Sequence, residues 1–218
     1  MLPSCGLPNS SYRYVEVPGT SHQPLEGTTY AIDLLRTVRG SFPTCPFPYQ
    51  GPGGPVGIDP VLRASVEHLD RWLRTGDAPP VAPLIDMTPS PTNPNNGVIQ
   101  RDQYGNATGG IRMPQQEAPT GRNTPSFGCI VPFPPFGNIT LATFPQWDAF
   151  DGGADPAVDP TDTVNATEPA DAKAVYGSHA RYVAEFTIAT LRVANTGFVS
   201  GLDALRMIFD AALSDVAK

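Results

Sequence analysis

The sequence predicts a loop-rich α/β fold, on three observations. Residues 12–17, Tyr-Arg-Tyr-Val-Glu-Val, are mostly aromatic or β-branched and alternate as a strand does. Residues 59–75 carry Val61, Leu62, Ser65, Leu69, Trp72 and Leu73 at helical spacing. Two later stretches repeat helical spacing on either side of Gly197: 173–195, with Val175, Ala180, Val183, Phe186 and Leu191 as its apolar side, and 201–216, with Leu202, Leu205, Ile208, Phe209 and Leu213.

Composition narrows the classes. A length of 218 residues suits one domain or slightly more. The chain is 40% hydrophobic, enough for a core, but its 26 prolines and 21 glycines imply short elements joined by long loops. A net charge of −7 with no basic stripe argues against nucleic-acid binding. No run of 18 apolar residues occurs, so no membrane span is expected. Residues 1–8 have neither a basic region nor an apolar one and do not read as a secretion signal. The compartment stays open, a secreted or periplasmic one included. The three cysteines, Cys5, Cys45 and Cys129, lack metal-like spacing. Cys45 and Cys129 either pair in an oxidising compartment or are buried free thiols. Sequons begin at Asn9, Asn106, Asn138 and Asn165, which matters only in a host that glycosylates.

In chain order, the first strand ends at Pro18-Gly19, where proline brings no N–H and glycine permits a sharp turn. His22 follows three residues after Gly19. A histidine on a loop at a strand end is held rigidly with its ring free to face a cleft, as a general base requires. The alternative is a loop histidine that only hydrogen-bonds backbone. Ser21 is too close to His22 in sequence to be its nucleophile. Glu16 lies on the strand and is not assigned as the acid partner.

Residues 23–57 read as a loop, with a short helical turn over 32–38, and a long loop placed there suits the covering of a site. The helix 59–75 is expected to take Asp59 as N-cap and Pro60 as its first residue, and to end at Gly76 before Pro79-Pro80. His68, inside it, reads as a packing residue. Residues 81–100 form a Pro/Asn-rich connector. A hairpin is expected from 98–102 and 108–114 around a Gly105-Asn106 turn. Gly109-Gly110 implies close backbone approach or positive φ. Arg112, between apolar neighbours, implies a specific carboxylate or carbonyl partner, as a structural ion pair rather than an oxyanion clamp. Residues 115–143 are expected to be irregular because of their prolines, with 128–137 a buried loop. Residues 147–171 read as an exposed insertion bearing Asp148, Asp151, Asp155, Asp159, Asp162, Glu168 and Asp171. No Asp-x-Asp-x-Asp-Gly loop is present, so no calcium site is assigned, and no other metal or cofactor is expected. His179, on the first of the last two helices, reads as a surface or packing residue.

Several of these segments resemble one family. The strand-turn-His22 stretch, His68-Leu-Asp-Arg-Trp-Leu-Arg-Thr-Gly-Asp-Ala-Pro-Pro80, Asp102-Gln-Tyr-Gly-Asn-Ala-Thr-Gly-Gly-Ile-Arg-Met-Pro114, 176–183 and 197–204 are similar to the C-terminal half of the α/β-hydrolase domain-containing proteins, a family of serine-esterase-like enzymes. The resemblance implies a partial α/β-hydrolase: C-terminal strands and helices, a loop-rich β-hairpin segment and a C-terminal helical hairpin. The expected divisions are 1–80 for the core with the His loop, 81–145 for the hairpin segment, 146–171 for the insertion and 172–218 for the helical hairpin. It also implies that His22 is the catalytic base of a hydrolase acting on a small ester-like substrate.

A nucleophile of this fold sits in Gly-x-Ser-x-Gly, and the chain has no such motif. The nearest, Gly19-Thr-Ser-His-Gln, lacks the second glycine. The expectation is therefore the C-terminal portion of a longer enzyme, inactive alone. The alternative is a non-catalytic binding or scaffold module of the same ancestry. Substrate, acid partner and oligomeric state are not readable from these residues.

Overall fold

The computed structural model describes residues 12–20, 37, 54, 56–90, 97–132, 138–150 and 169–218, with 124–132 and 138–148 described by backbone alone. Its first long element is helix α1, Asp59–Thr75. Pro60 lies in the first turn, where a missing N–H costs nothing, and Gly76 closes the helix at φ 81°. The N-cap is Ile58 rather than Asp59 and gives no side-chain cap; Asp59 sits inside the first turn, favourably placed for the helix dipole. The helix buries Pro60, Val61 and Ala64. Of the residues at helical spacing Val61 is buried, but Leu62, Leu69 and Leu73 face outward and, with Val66, form an exposed stripe.

Residues 12–17 are extended but do not form the expected strand. Their in-and-out alternation survives: Val17 is buried with Val15 packed beside it, while Tyr12 and Tyr14 are exposed. What is lacking is a ladder. Ile111 N donates to Glu16 O at 2.8 Å, but the next donor along, Gly110 N, is committed to Leu84 O at 2.7 Å. The Pro18-Gly19 turn forms as expected, with Gly19 at φ 71°.

Strands β1, Met87–Pro89, and β2, Gly97–Ile99, pair antiparallel. The segment expected to be a plain connector thus carries a strand. The predicted hairpin continues from β2 as a narrow one, with a bridge between Arg101 and Ala107 and Thr108 N donating to Gln100 O. Asp86 ties three segments together: its N–H reaches Thr108 O and its carbonyl accepts from Gln100 N. Helix α2, Pro114–Glu117, is one turn long.

Strands β3, Gly121–Pro132, and β4, Asn138–Ala149, make an antiparallel ribbon of twelve residues each where irregular chain was expected. The prolines are accommodated rather than excluding the strands. The register skips between Thr124/Gln146 and Phe127/Phe144, so Pro125 and Pro145 both fall in the irregularity, where no ladder bond is owed. Pro132 closes the end of the ribbon opposite Asn138. The ribbon also runs through residues 147–149, into the stretch expected to be an insertion.

The last part contains three helices: α3, Ala172–Tyr176, α4, His179–Asn195, and α5, Gly201–Leu213. The expected single helix over 173–195 is split by Gly177 at φ 71°, after which the Ser178 side chain accepts from Arg181 N and starts α4. Gly197, at φ 84°, ends α4, and α5 folds back against it. The buried face of α4 is Tyr182, Phe186, Ala189, Thr190 and Val193, with Leu191 outward. On α5 the buried residues are Asp203, Ala204 and Ala211; Leu202, Leu205, Phe209 and Leu213 face outward, against expectation. Small side chains let two helices approach closely, so alanine wins the inner face. Among the described residues no helix is long and apolar enough to cross a membrane.

Among the described residues two apolar clusters hold these parts. One joins Val17, Val56, Val61, Ile111, Met113 and Phe198; the other joins Tyr176, Tyr182, Phe186 and Ala211. Met207 packs against both. Each fully buried large side chain contributes roughly 1.5–3 kcal/mol of transfer free energy. Tyr176 also donates to Pro119 O at 2.8 Å, and burial, with Tyr182 and Glu185 nearby, pushes its phenol above the ordinary tyrosine range.

Asp203 joins α5 to α1. Its carboxylate accepts from Arg63 Nη2 at 2.9 Å and Arg63 Nε at 3.2 Å, and from Ser200 Oγ at 2.9 Å. Burial pushes the carboxyl up, but the hydrogen bonds from Arg63 and Ser200 and the charges of Arg63 and Arg206 outweigh it, holding the group below the usual range. Its contribution is therefore present above the unfolded pKa of about 3.9 and is lost as pH falls through the lower folded value. Asp203→Asn is expected to cost about 1–2 kcal/mol at pH 7. Urea titrations should show that deficit shrinking once the pH is below the folded-state value. An equal deficit at both pH values would mean that the charge is not what matters.

Candidate functional site

The site is built around the Asp102–Pro114 motif, and Asp102 organises it. Its Oδ1 accepts from Tyr104 N at 2.9 Å and Asn106 N at 3.0 Å, folding the chain into a tight turn. Its Oδ2 accepts from Arg112 Nη2 at 2.6 Å. The same Nη2 donates to Gln116 O at 2.8 Å, and Arg112 Nε lies 2.7 Å from Glu117 Oε1. Arg112 is thus the structural clamp expected, holding the turn, α2 and itself with a rigid fork. Glu117 also faces Arg192 of α4 at 3.4 Å, so the motif is linked to the helical part.

Beneath this clamp lies a buried amide network. Asn106 is fully buried; its Nδ2 donates to Gly121 O at 3.2 Å and its Oδ1 accepts from Asn123 N at 2.7 Å. Asn123 Oδ1 accepts in turn from Val56 N at 3.0 Å. The Asn106 sequon is therefore a structural residue in the folded chain rather than an exposed acceptor.

The network meets the Pro18-Gly19 turn. A methyl group on Gly19 would stand 2.9 Å from Asn123 Cβ and 3.0 Å from Gln116 Nε2. Gln116 is itself fully buried, with its Oε1 3.4 Å from Met113 N. On the other side Gly110 presses against Pro18, where an added Cβ would be 2.9 Å from the ring. Thr20 Oγ1 donates to Val17 O at 2.7 Å and closes the turn. Glu16 acts next door as a brace: its Oε2 accepts from Ile85 N at 2.6 Å.

Gly110 also borders an apolar cleft of about 230 Å³ walled by Pro83, Ile111, Val193 and Phe198, with Arg192 and Glu117 at its rim. A second, more polar hollow of about 320 Å³ lies beside Asp102, Tyr104 and Gln116 and shares Arg112 with the first.

Of the residues singled out from the sequence, His22 and Ser21 lie outside the described residues, as do Cys5, Cys45, Asn9 and Asn165 and all but Thr37 of the 32–38 turn. The side chains of Cys129 and Asn138 are likewise undescribed. His68 donates from Nε2 to Gly197 O at 2.7 Å, tying α1 to the α4–α5 link. His179 sets Nδ1 2.8 Å from Val216 O and Nε2 3.1 Å from Ala212 O, fastening the start of α4 to the end of α5. Both are packing residues, as expected. Asn106, Asn123 and Gln116 were not singled out for this role. The only sequence signal was the density of Gly and Asn around 105–110, which marks tight backbone but not burial.

A family model described as an alpha/beta hydrolase domain matches residues 7–209. No curated protein and no solved structure matches the chain.

Proposed function

This chain belongs to the alpha/beta hydrolase domain family, and on that premise we propose that it supplies the general base, His22, of a serine hydrolase acting on small ester-like substrates. The observation that carries the reading is the Pro18-Gly19 turn. It ends an extended segment, is packed between Asn123, Gln116 and Gly110, and leads within three residues to His22. A base must be held to a fraction of an ångström, and a turn seated on buried amides supplies a rigid root for it.

In this reading His22 takes the proton of a serine hydroxyl as that oxygen attacks the ester carbonyl. It returns the proton to the departing alkoxide, and the cycle repeats with water attacking the acyl-enzyme. The serine is contributed by a part of the enzyme outside these residues, since the chain contains no Gly-x-Ser-x-Gly. The outward stripe of α1, Leu62, Val66, Leu69 and Leu73, supports such an added part, because a four-residue apolar row on a helix is normally covered.

The purified chain is expected to show no His22-dependent hydrolysis of p-nitrophenyl butyrate. With the nucleophile-bearing part added, turnover should appear and fall by at least about a thousandfold in His22→Ala, as loss of a triad base does. Turnover by the chain alone that His22→Ala removes would place the nucleophile within it. Restored turnover that survives His22→Ala would refute the assignment of the base.

A further inference from the structure

We propose that the outer face of α5 pairs two copies of this chain in an antiparallel, two-fold contact. The proposal does not depend on His22. It starts from the exposure of α5. Leu202, Leu205, Phe209 and Leu213 are 62%, 56%, 64% and 79% exposed. At 3.6 residues per turn they fall within about 80° of one another, on the side opposite Asp203, Ala204 and Ala211. A helix apolar on both faces is one that is covered on both.

The charges beside the stripe identify the occupant. Arg206 and Asp210 are exposed, lie along one edge of it and form no ion pair among the described residues. Around a two-fold axis at the height of Ile208, two antiparallel copies of α5 present the same edge to each other. Arg206 of each then stands beside Asp210 of the other. The identical register sets Phe209 between Leu205 and Phe209 of the second copy, and Leu205 between Phe209 and Leu213. Side-chain interdigitation and charge pairing thus select one alignment, a coincidence that a contact with an unrelated protein would not require.

The size of the stripe limits the contact to a small one. Four such side chains expose on the order of 500 Å² of apolar surface, near the upper end of the largest patch on an ordinary monomer. That is below the about 800 Å² per partner of a standard interface, so the pair is expected to form in the micromolar range rather than the nanomolar.

Sedimentation equilibrium over about 5–300 µM tests this, the range in which an interface of that size associates. Wild type is expected to move from the monomer toward twice its mass. Arg206→Asp and Asp210→Arg, made separately, each place two like-charged pairs in the contact and should weaken association at least about tenfold. In an equimolar mixture of the two variants every 206–210 pair is of opposite sign again, and a mixed dimer should return. This recovery separates a contact effect from a folding defect. Wild type that stays monomeric throughout, single variants that pair as well as wild type, or a mixture no more associated than its components would each overturn the proposal.

Discussion

Arg112→Ala should shift the urea midpoint by the equivalent of about 2–4 kcal/mol, because it leaves partly buried carboxylates without their cation. Asp102 and Glu117 keep only 20% and 29% of their side-chain surface in water, so solvent replaces the guanidinium poorly. The effect reaches beyond the ion pairs. Asp102 also closes the 102–106 turn through its other oxygen, and Gln116 O loses its donor. Arg112→Lys keeps the charge but cannot span Asp102, Gln116 O and Glu117 from one plane, and should recover less than half of the loss. A deficit below about 0.5 kcal/mol, the size of a surface pair, would mean the clamp is ornamental to stability.

Gly109→Ala is expected to cost about 3 kcal/mol or more, from two terms that a control separates. Gly109 sits at φ 71°, and a Cβ there would stand 2.5 Å from both Asp86 N and Leu84 O. Those are backbone atoms of the segment that binds residues 108–110, so they yield only if the hydrogen bonds from Asp86 N and Gly110 N give way. Gly76→Ala provides the control. It has a similar φ of 81° with nothing within 4 Å of the added carbon, and should lose only the left-handed term of about 1 kcal/mol. Equal losses at the two positions, by thermal or urea unfolding, would show that close approach at Gly109 has no role.

The parts of this fold that were legible in the sequence are those written in local chemistry. Pro60 and Gly76 bound α1, Gly197 ends α4, and the Gly109-Gly110 pair announces the close backbone approach found there. What escaped was decided by partners. Residues 12–17 have a strand's composition but form no ladder among the described residues, where Ile111 N bonds Glu16 O while its neighbour Gly110 N bonds Leu84 O. On α5 the leucine spacing points to a buried face, yet the alanines pack inward, because periodicity locates a stripe without saying which of two stripes meets the core. The β3–β4 ribbon is hidden in the sequence by its prolines, because what decides is not proline itself but whether its position owes a hydrogen bond.

The same blindness covers the candidate site. The extended segment and its Pro18-Gly19 turn could be read from the chain, and Arg112 could be read as a clamp, while His22 lies outside the described residues. Nothing local marks Asn106, Asn123 and Gln116 as buried amides, because polar side chains reveal burial only through partners distant in sequence, such as Val56 for Asn123.

The prolines of the ribbon also bear on what the chain avoids. Among the described residues the ribbon has no third strand, although Asn106 bonds the start of β3 at Gly121 O and Asn123 N, and an uncovered strand edge is a template for recruiting a further strand from a neighbouring molecule. Here Pro125, Pro132 and Pro145 interrupt the rows of N–H groups, and the register irregularity bends the pairing between them. The longest proline-free runs become 126–131 and 138–144 instead of twelve residues on each strand, and a second irregularity, at Thr143, falls within them. The residues that first argued against a strand thus cut each strand's proline-free stretch from twelve residues to the six or seven that are about the least cross-β growth uses.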